Sequence, residues 1–216
     1  MQLHRLSLAA VLALSASVAQ ASFVPDAQGD FLGTYTGTQA GDLDVLFAYG
    51  VYNAPTQTFS FGATMAAPLG TTAGALYVWG IDRGAGTQRF LAGSPSVGAG
   101  VFFDSVLLYN AGTGAAQLNL FNGQPALTLA AGTVVANGNS LTATLSASLL
   151  PSTGRSAAEY GWNFWPRLGA GQNAQISDFA PNASTPMVVT TVPEPASAML
   201  LLGGLGALLA ARRRRS

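Results

Sequence analysis

The chain has 216 residues, room for one ordinary domain, and 49% of them are hydrophobic, which suffices for a packed core. It contains no cysteine, so disulfide bonds, thiolate nucleophiles and cysteine-based zinc or iron–sulfur sites are excluded. The formal net charge is zero, but the region from Ser22 to Thr190 holds eight acidic residues against four arginines, a net charge of −4. Because no basic surface is available to neutralise phosphates, we expect no nucleic-acid partner.

The first 21 residues have the pattern of a secretory signal peptide. His4 and Arg5 form a short polar start, and an apolar run follows at 6–18. Ala19 and Ala21 then supply the two small residues of a small-x-small cleavage site. We predict export, with cleavage by signal peptidase after Ala21.

Alternating apolar residues dominate the region 22–180. Two consecutive predicted strands each have one apolar face, formed by Leu43, Val45, Phe47, Tyr49 and Val51, and then by Phe59, Phe61, Ala63 and Met65. Further runs of this kind follow at 75–82, 101–110, 115–121, 126–129 and 141–149, separated by glycine-rich or Asn-Gly turns. Many short strands with closely spaced turns are typical of an all-β, antiparallel β-sandwich, which we predict for residues 22–180.

Four aspartates near the start of this region form a candidate calcium site. Asp42 and Asp44 are two residues apart, so on a strand they would share one face and repel each other. A calcium ion bound by them together with Asp26 or Asp30 would compensate that charge. Screening by water on a solvated face is the simpler interpretation, and no other cofactor is predicted.

Trp165 is a candidate for stacking on a sugar ring. Alternation places Tyr160, Trp162 and Phe164 on one face, which we assign to the core, and Trp165 on the other. A flat aromatic ring on an exposed face suits sugar binding, but packing in the interior explains a tryptophan more simply.

Composition argues against catalysis. His4 is the only histidine and precedes the predicted cleavage site, so the mature domain has no imidazole base and no histidine metal ligand. Glu159 is the only glutamate in the region 22–190, and nothing pairs it with a particular aspartate for glycoside hydrolysis. We therefore predict no enzyme and no catalytic residue.

The C-terminal end carries a linker and a membrane segment. Residues 181–191 are rich in Pro, Ser and Thr and read as a spacer. Residues 192–216 contain Pro193, Glu194 and Pro195, an uncharged run at 196–211 and the arginines Arg212, Arg213, Arg214 and Arg215. Sixteen residues at about 1.5 Å each make about 24 Å of helix, a short single transmembrane span whose arginines would stay cytoplasmic.

This tail resembles the PEP-CTERM sorting signal of Gram-negative bacteria. The resemblance rests on V-P-E-P, the short apolar span and the terminal arginine cluster, within the last 25 residues. It implies tethering at the inner membrane, then processing near Pro193–Pro195 by an exosortase, a protease-transpeptidase, and release to the cell surface or extracellular matrix. Carriers are common in bacteria with exopolysaccharide loci. A plain anchor that is never processed is the alternative.

A second resemblance concerns the start of the domain. The segment 24–30 and the D-L-D-V sequence at 42–45 are similar to the start of carbohydrate-binding sandwiches of the family 9 or DOMON-like type. The leading hypothesis is a noncatalytic surface or matrix protein associated with exopolysaccharide. A carbohydrate- or calcium-binding module on the same scaffold is the alternative.

Overall fold

The computed structural model describes residues 23–191, which form eleven β-strands and five short 3-10 helices. The strands are β1 (Phe23–Pro25), β2 (Val45–Asn53), β3 (Thr58–Met65), β4 (Ala75–Asp82), β5 (Ser105–Asn110), β6 (Ala115–Asn119), β7 (Leu127–Thr128), β8 (Val134–Asn137), β9 (Ser140–Ser146), β10 (Gly161–Leu168) and β11 (Val189–Thr191). The 3-10 helices are Gly41–Leu43, Arg89–Ala92, Ala147–Leu149, Ala157–Glu159 and Asn173–Gln175.

The strands form two sheets that pack on each other. The first sheet has the order β1-β2-β3-β9-β8, and β11 also pairs with β2. The second has the order β10-β4-β5-β6-β7. Among the described strands every pairing is antiparallel except that of β11 with β2. This confirms the predicted all-β, antiparallel sandwich.

The core between the sheets follows the alternation of the sequence. The apolar face predicted from Phe59 to Met65 is buried along its whole length in β3. From the second sheet, Trp79 and Phe164 pack with ring centroids 4.9 Å apart. Fully burying an apolar side chain of this size contributes roughly 1.5 to 3 kcal/mol, so these residues supply much of the folding energy.

Strand β2 departs from the predicted alternation. The register slips between Val45 and Phe47, a β-bulge that turns the rest of the strand over. Ala48 and Tyr52 therefore face the core, while Phe47 is left partly exposed. Gly50 also lies on the inner side, because a Cβ there would lie 2.7 Å from Trp162 Cδ1.

A second apolar cluster covers the other face of the second sheet. It packs segments around the 3-10 helices at 89–92 and 173–175 against β4 and β10, and consists of Val78, Phe90, Val97, Val101, Phe103, Trp165, Ile176 and Phe179. All eight residues of β4 are buried, because both faces of that strand are covered.

The segment 181–191 lies on the sandwich, unlike the polar spacer predicted from its composition. Asn163 Nδ2 donates hydrogen bonds to the carbonyls of Pro181 (2.7 Å) and Ser184 (2.9 Å). Val188 is buried, and β11 completes the segment beside β2. Composition could not reveal this docking, because it depends on backbone pairing with residues distant in the sequence.

Several predictions fall on other parts of the chain. They lie outside the described residues and concern the signal peptide at 1–21 with Ala19 and Ala21, the Pro193–Pro195 motif, the helix at 196–211 and the Arg212–Arg215 cluster. From residue 23 to residue 191, no helix has both the length and the apolar character needed to cross a membrane.

Candidate metal centre

Three aspartates from opposite ends of the domain meet beside the start of β2. One carboxylate oxygen each of Asp26, Asp30 and Asp178 lies within 4.8 Å of the other two. Asp26 and Asp30 belong to the segment that follows β1, and Asp178 belongs to the segment that follows β10. We call these three residues the carboxylate cluster.

Backbone contacts hold the N-terminal part of the cluster. The Asp26 amide donates to the Leu46 carbonyl at 3.0 Å, which keeps the chain beside β2 after β1 ends. Gly29 has a φ of +83°, in the left-handed region that favours glycine. Its amide donates to both carboxylate oxygens of Asp44, at 3.1 and 2.9 Å. Asp44 thus positions the loop that carries Asp26 and Asp30.

Asp178 is the buried member of the cluster. Its side chain is fully buried, and its neighbour Phe179 anchors the segment in the second apolar cluster. The amides of Val45 and Phe179 donate to the Asp178 carboxylate at 2.9 and 2.7 Å. The Val45 amide lies next to the β-bulge of β2, and bulges of this kind commonly aim groups at functional sites.

The cluster is short of hydrogen-bond donors. Asp26 Oδ2 and Asp30 Oδ1 are fully buried atoms and accept no hydrogen bond. Asn182 Nδ2 reaches the other oxygens of these two residues, at 3.4 Å from Asp26 Oδ1 and 3.2 Å from Asp30 Oδ2. Buried carboxylate oxygens without a partner are costly, so the arrangement calls for a positive ligand or for protons.

No arginine within residues 23–191 forms an ion pair with the cluster. The two ion pairs in that part of the chain join Arg83 to Asp104 and Arg155 to Asp82. Arg89 lies over the Phe121 ring, 4.3 Å from its centroid. Arg167 donates to the Gly169 and Gln172 carbonyls and to Gln175 Oε1.

Burial and mutual repulsion raise the pKa values of Asp26 and Asp178. For Asp26 the main cause of the raised pKa is burial, followed by the charge of Asp30. Burial is also the main cause of the raised Asp178 pKa, to which the charges of Asp26 and Asp30 add. Burial likewise raises the pKa of Asp44. Near neutral pH the group therefore favours binding either protons or a cation.

The donor set suits a hard divalent cation. All the ligands on offer are carboxylate oxygens, which calcium prefers, at 2.3 to 2.6 Å. Oxygens on opposite sides of one calcium ion are roughly 5 Å apart by these distances, so three oxygens within 4.8 Å fit around it. Calcium takes six to eight ligands, and water would supply those that the cluster lacks.

Of the four aspartates predicted from the sequence, the structure brings Asp26 and Asp30 together and places Asp44 beneath their loop. Asp42 lies elsewhere: its carboxylate accepts hydrogen bonds from the Thr72 amide at 2.7 Å and the Thr72 hydroxyl at 2.6 Å. Sequence reasoning missed Asp178, about 150 residues further along the chain. No local pattern in the sequence connects Asp178 with Asp26 and Asp30.

Trp165 does not present a surface for sugar stacking. It is 2% exposed, because the segments that cover the second sheet enclose it. Its ring centroid lies 5.0 Å from that of Phe90 and 5.1 Å from that of Phe103. Packing, the simpler interpretation of this residue, accounts for its position.

Asp104, another of the buried carboxylates, is paired with an arginine. Arg83 Nε donates to Asp104 Oδ1 at 2.9 Å, and Arg83 also reaches the carbonyls of Pro151 and Leu120. Burial alone would raise the Asp104 pKa, but hydrogen bonds from Thr153 and Arg83, with the Arg83 charge, lower it overall. These contacts satisfy the charge and mark the pair as a structural element.

Comparison with known protein families finds a match at the C-terminal end of the chain. The family model of the PEP-CTERM protein-sorting motif matches residues 191–215. No curated protein matches the chain. The match does not extend to the sandwich, whose resemblance to carbohydrate-binding domains stays a prediction. The motif implies an exported, envelope-associated protein that an exosortase-type enzyme sorts. The chain is therefore a protein that carries a PEP-CTERM sorting motif behind a β-sandwich domain.

Proposed function

We propose that this chain is a noncatalytic protein of the cell surface or extracellular matrix, associated with exopolysaccharide and delivered by its sorting tail. The observation that carries the proposal is the sorting motif at 191–215, directly behind a sandwich without histidine or cysteine. In this proposal the chain is tethered to the inner membrane of a Gram-negative cell until an exosortase processes it near Pro193–Pro195.

Intact mass of the protein recovered from the host surface, with and without the exosortase, tests the delivery. We expect a mass that lacks 1–21 and the residues after the Pro-Glu-Pro motif, and an unprocessed tail when the exosortase is absent. Glu194→Gln should impair processing, while the matched variant Glu159→Gln, at an exposed position of the domain, should not. A mature protein that retains 196–216 beside an active exosortase would contradict the proposal.

Two further measurements test the rest of this proposal. We expect the mature protein to sediment with isolated exopolysaccharide and to show no reproducible turnover on polysaccharide or ester substrates. Failure to sediment would remove the matrix association, and a turnover that survives full purification would remove the noncatalytic role.

We also propose that the sandwich binds calcium at the carboxylate cluster. The specific observation in favour is the pair of fully buried oxygens, Asp26 Oδ2 and Asp30 Oδ1, that accept no hydrogen bond beside the buried Asp178. Extracellular calcium modules have dissociation constants of about 10⁻⁴ to 10⁻³ M, a range that suits an exported protein.

Titration calorimetry of the full-length chain in detergent, with calcium chloride and then magnesium chloride, tests this second proposal. We expect one calcium site per chain and weaker binding of magnesium, which demands near-ideal octahedral geometry. Asp30→Asn should weaken calcium binding at least about tenfold. Asp42→Asn is the matched control, since Asp42 carries the same charge but binds Thr72. Equal loss in both variants would count against the site.

A further inference from the structure

The carboxylate cluster joins two segments that lie at opposite ends of the domain. Asp26 and Asp30 come from the N-terminal segment, and Asp178 comes from the segment that leads to the C-terminal tail. Asn182, four residues after Asp178, donates across the same boundary to Asp26 and Asp30. We call this boundary the terminal seam.

Beyond the seam, the chain from 180 to 191 is held at closely spaced points. Ala180 and Phe164 exchange backbone hydrogen bonds at 2.8 and 2.9 Å. The Thr185 hydroxyl donates to the Gly100 carbonyl at 2.9 Å. The Val188 amide then donates to the Tyr160 carbonyl at 2.8 Å. The docking of this segment is therefore continuous from the cluster to β11.

The last docked strand meets the sorting motif. Strand β11 pairs in parallel with β2 over only three residues and ends at Thr191. The motif match begins at residue 191. A three-residue edge strand with one neighbour is weakly held by its own hydrogen bonds. Its docking therefore depends on how firmly the segment before it is held to the sandwich, and the seam is one of the points that hold that segment.

The charges of the three aspartates determine whether the two segments attract or repel each other at the seam. With Asp26, Asp30 and Asp178 ionised and no cation between them, the N-terminal and C-terminal segments repel each other at short range. A divalent cation bound by oxygens of both segments would change that repulsion into a shared attraction. The hydrogen bonds that the exposed Asn182 side chain donates, at 3.2 Å and longer, are too weak to replace this attraction.

From these contacts we infer that the carboxylate cluster is a calcium-operated clasp, which fastens the segment 178–191, and with it the start of the sorting motif, to the sandwich. The inference rests on the calcium site proposed above. It adds that calcium, which reaches the chain after export, completes the docking of the C-terminal segment beside the sorting motif.

Hydrogen exchange measured by mass spectrometry on the full-length chain in detergent tests the clasp, with chelator, with about 5 mM calcium, or with about 5 mM magnesium. Calcium should slow exchange of the Ala180 and Val188 amides at least about fivefold, while amides of the edge strand β7 in the other sheet, which exchange by local fraying, change little. Magnesium should have a smaller effect. Calorimetry on the same samples reports binding independently.

Two variants complete the test. Asp30→Asn should reduce the calcium-dependent protection several-fold; Asp30 is partly exposed, and within residues 23–191 its carboxylate accepts from Asn182 alone, so the fold should tolerate the change. Asp42→Asn should keep it. Calcium binding without slower exchange at Ala180 and Val188 would overturn the clasp and leave the calcium site standing. No calcium binding would overturn both, and protection that is undiminished in Asp30→Asn would overturn the clasp.

Discussion

Two regions of this domain treat a buried carboxylate in opposite ways. Asp104 is 5% exposed and bonded to Arg83, and its pKa is lowered. Asp178 is also buried but faces two further aspartates and no arginine, and its pKa is raised. Burial costs both residues, so the difference lies in whether the fold supplies a cation. Arg83 supplies the counter-charge for Asp104, whereas in the carboxylate cluster a bound ligand would have to supply it.

Removing the internal cation should have the largest effect. Arg83→Met would leave Asp104 buried without a counter-charge and should lower the free energy of unfolding by about 3 to 5 kcal/mol. The control is Arg155→Met, because Arg155 pairs with Asp82 but its side chain is 42% exposed; that loss should be about 1 kcal/mol or less. Urea unfolding measures both, and equal losses would contradict the distinction.

Adding calcium, the cation that the cluster lacks, should have the next largest effect on the free energy of unfolding. Calcium at about one hundred times its dissociation constant should raise the free energy of unfolding by about 2.7 kcal/mol relative to chelator. The gain should fall by about half or more in Asp30→Asn. It should persist in Asp42→Asn, because the Asp42 carboxylate binds Thr72 and lies apart from the cluster. Thermal unfolding with and without calcium measures it, and no shift in the unaltered chain would refute the site.

When calcium is absent, the contributions of the two regions to the free energy of unfolding should change with pH in opposite directions. Asp26 and Asp178 have raised pKa values in the folded state, so their protonated forms favour folding. Their contribution is lost as pH rises above the ordinary value of 3.8. The lowered pKa of Asp104 works the other way, and its contribution is lost as pH falls below that value.

Urea unfolding in chelator between about pH 5 and about pH 8 isolates the cluster, because Asp104 is ionised throughout that interval. We expect stability to decline across the interval by on the order of 1 kcal/mol, and by less in Asp26→Asn. An increase across the interval in the unaltered chain would contradict the pKa assignment, and calcium should remove the decline.

Asn182→Ala should have the smallest effect. It removes two long hydrogen bonds from an exposed side chain and should cost about 0.5 kcal/mol in chelator and less with calcium bound. Asn163→Ala, which removes shorter bonds at a buried position, is the comparison and should cost more. A larger loss from Asn182→Ala than from Asn163→Ala would show that the seam depends on Asn182 and not on a cation.

Much of the fold could be predicted, and the exceptions share one cause. Strand β4 has the predicted bounds, and the core face of β3 is the predicted one, because alternation is a local property. For β2, the predicted apolar face was wrong beyond Val45, because the bulge inserts a residue and alternation in the sequence cannot show it. Trp165 is covered by a segment from another part of the chain, which strand periodicity does not describe.

The candidate site was predictable only in its N-terminal half. Asp26 and Asp30 drew attention as nearby acids in one stretch of sequence, and so did Asp42, which binds Thr72 instead. Asp178 gave no comparable signal, since nothing local connects it with residues about 150 positions earlier. Loop acids are brought together by the path of the chain between strands, which their spacing does not encode.

The sequence by itself determined that the chain is a sandwich of short antiparallel strands and that its end carries a sorting signal, because periodicity and a contiguous motif are both written in neighbouring residues. Tertiary structure alone decided which aspartates share a site, which tryptophan is covered and that the segment 181–191 is docked. Each of these depends on contacts between distant residues, whose free energy exists only once the sheets have packed.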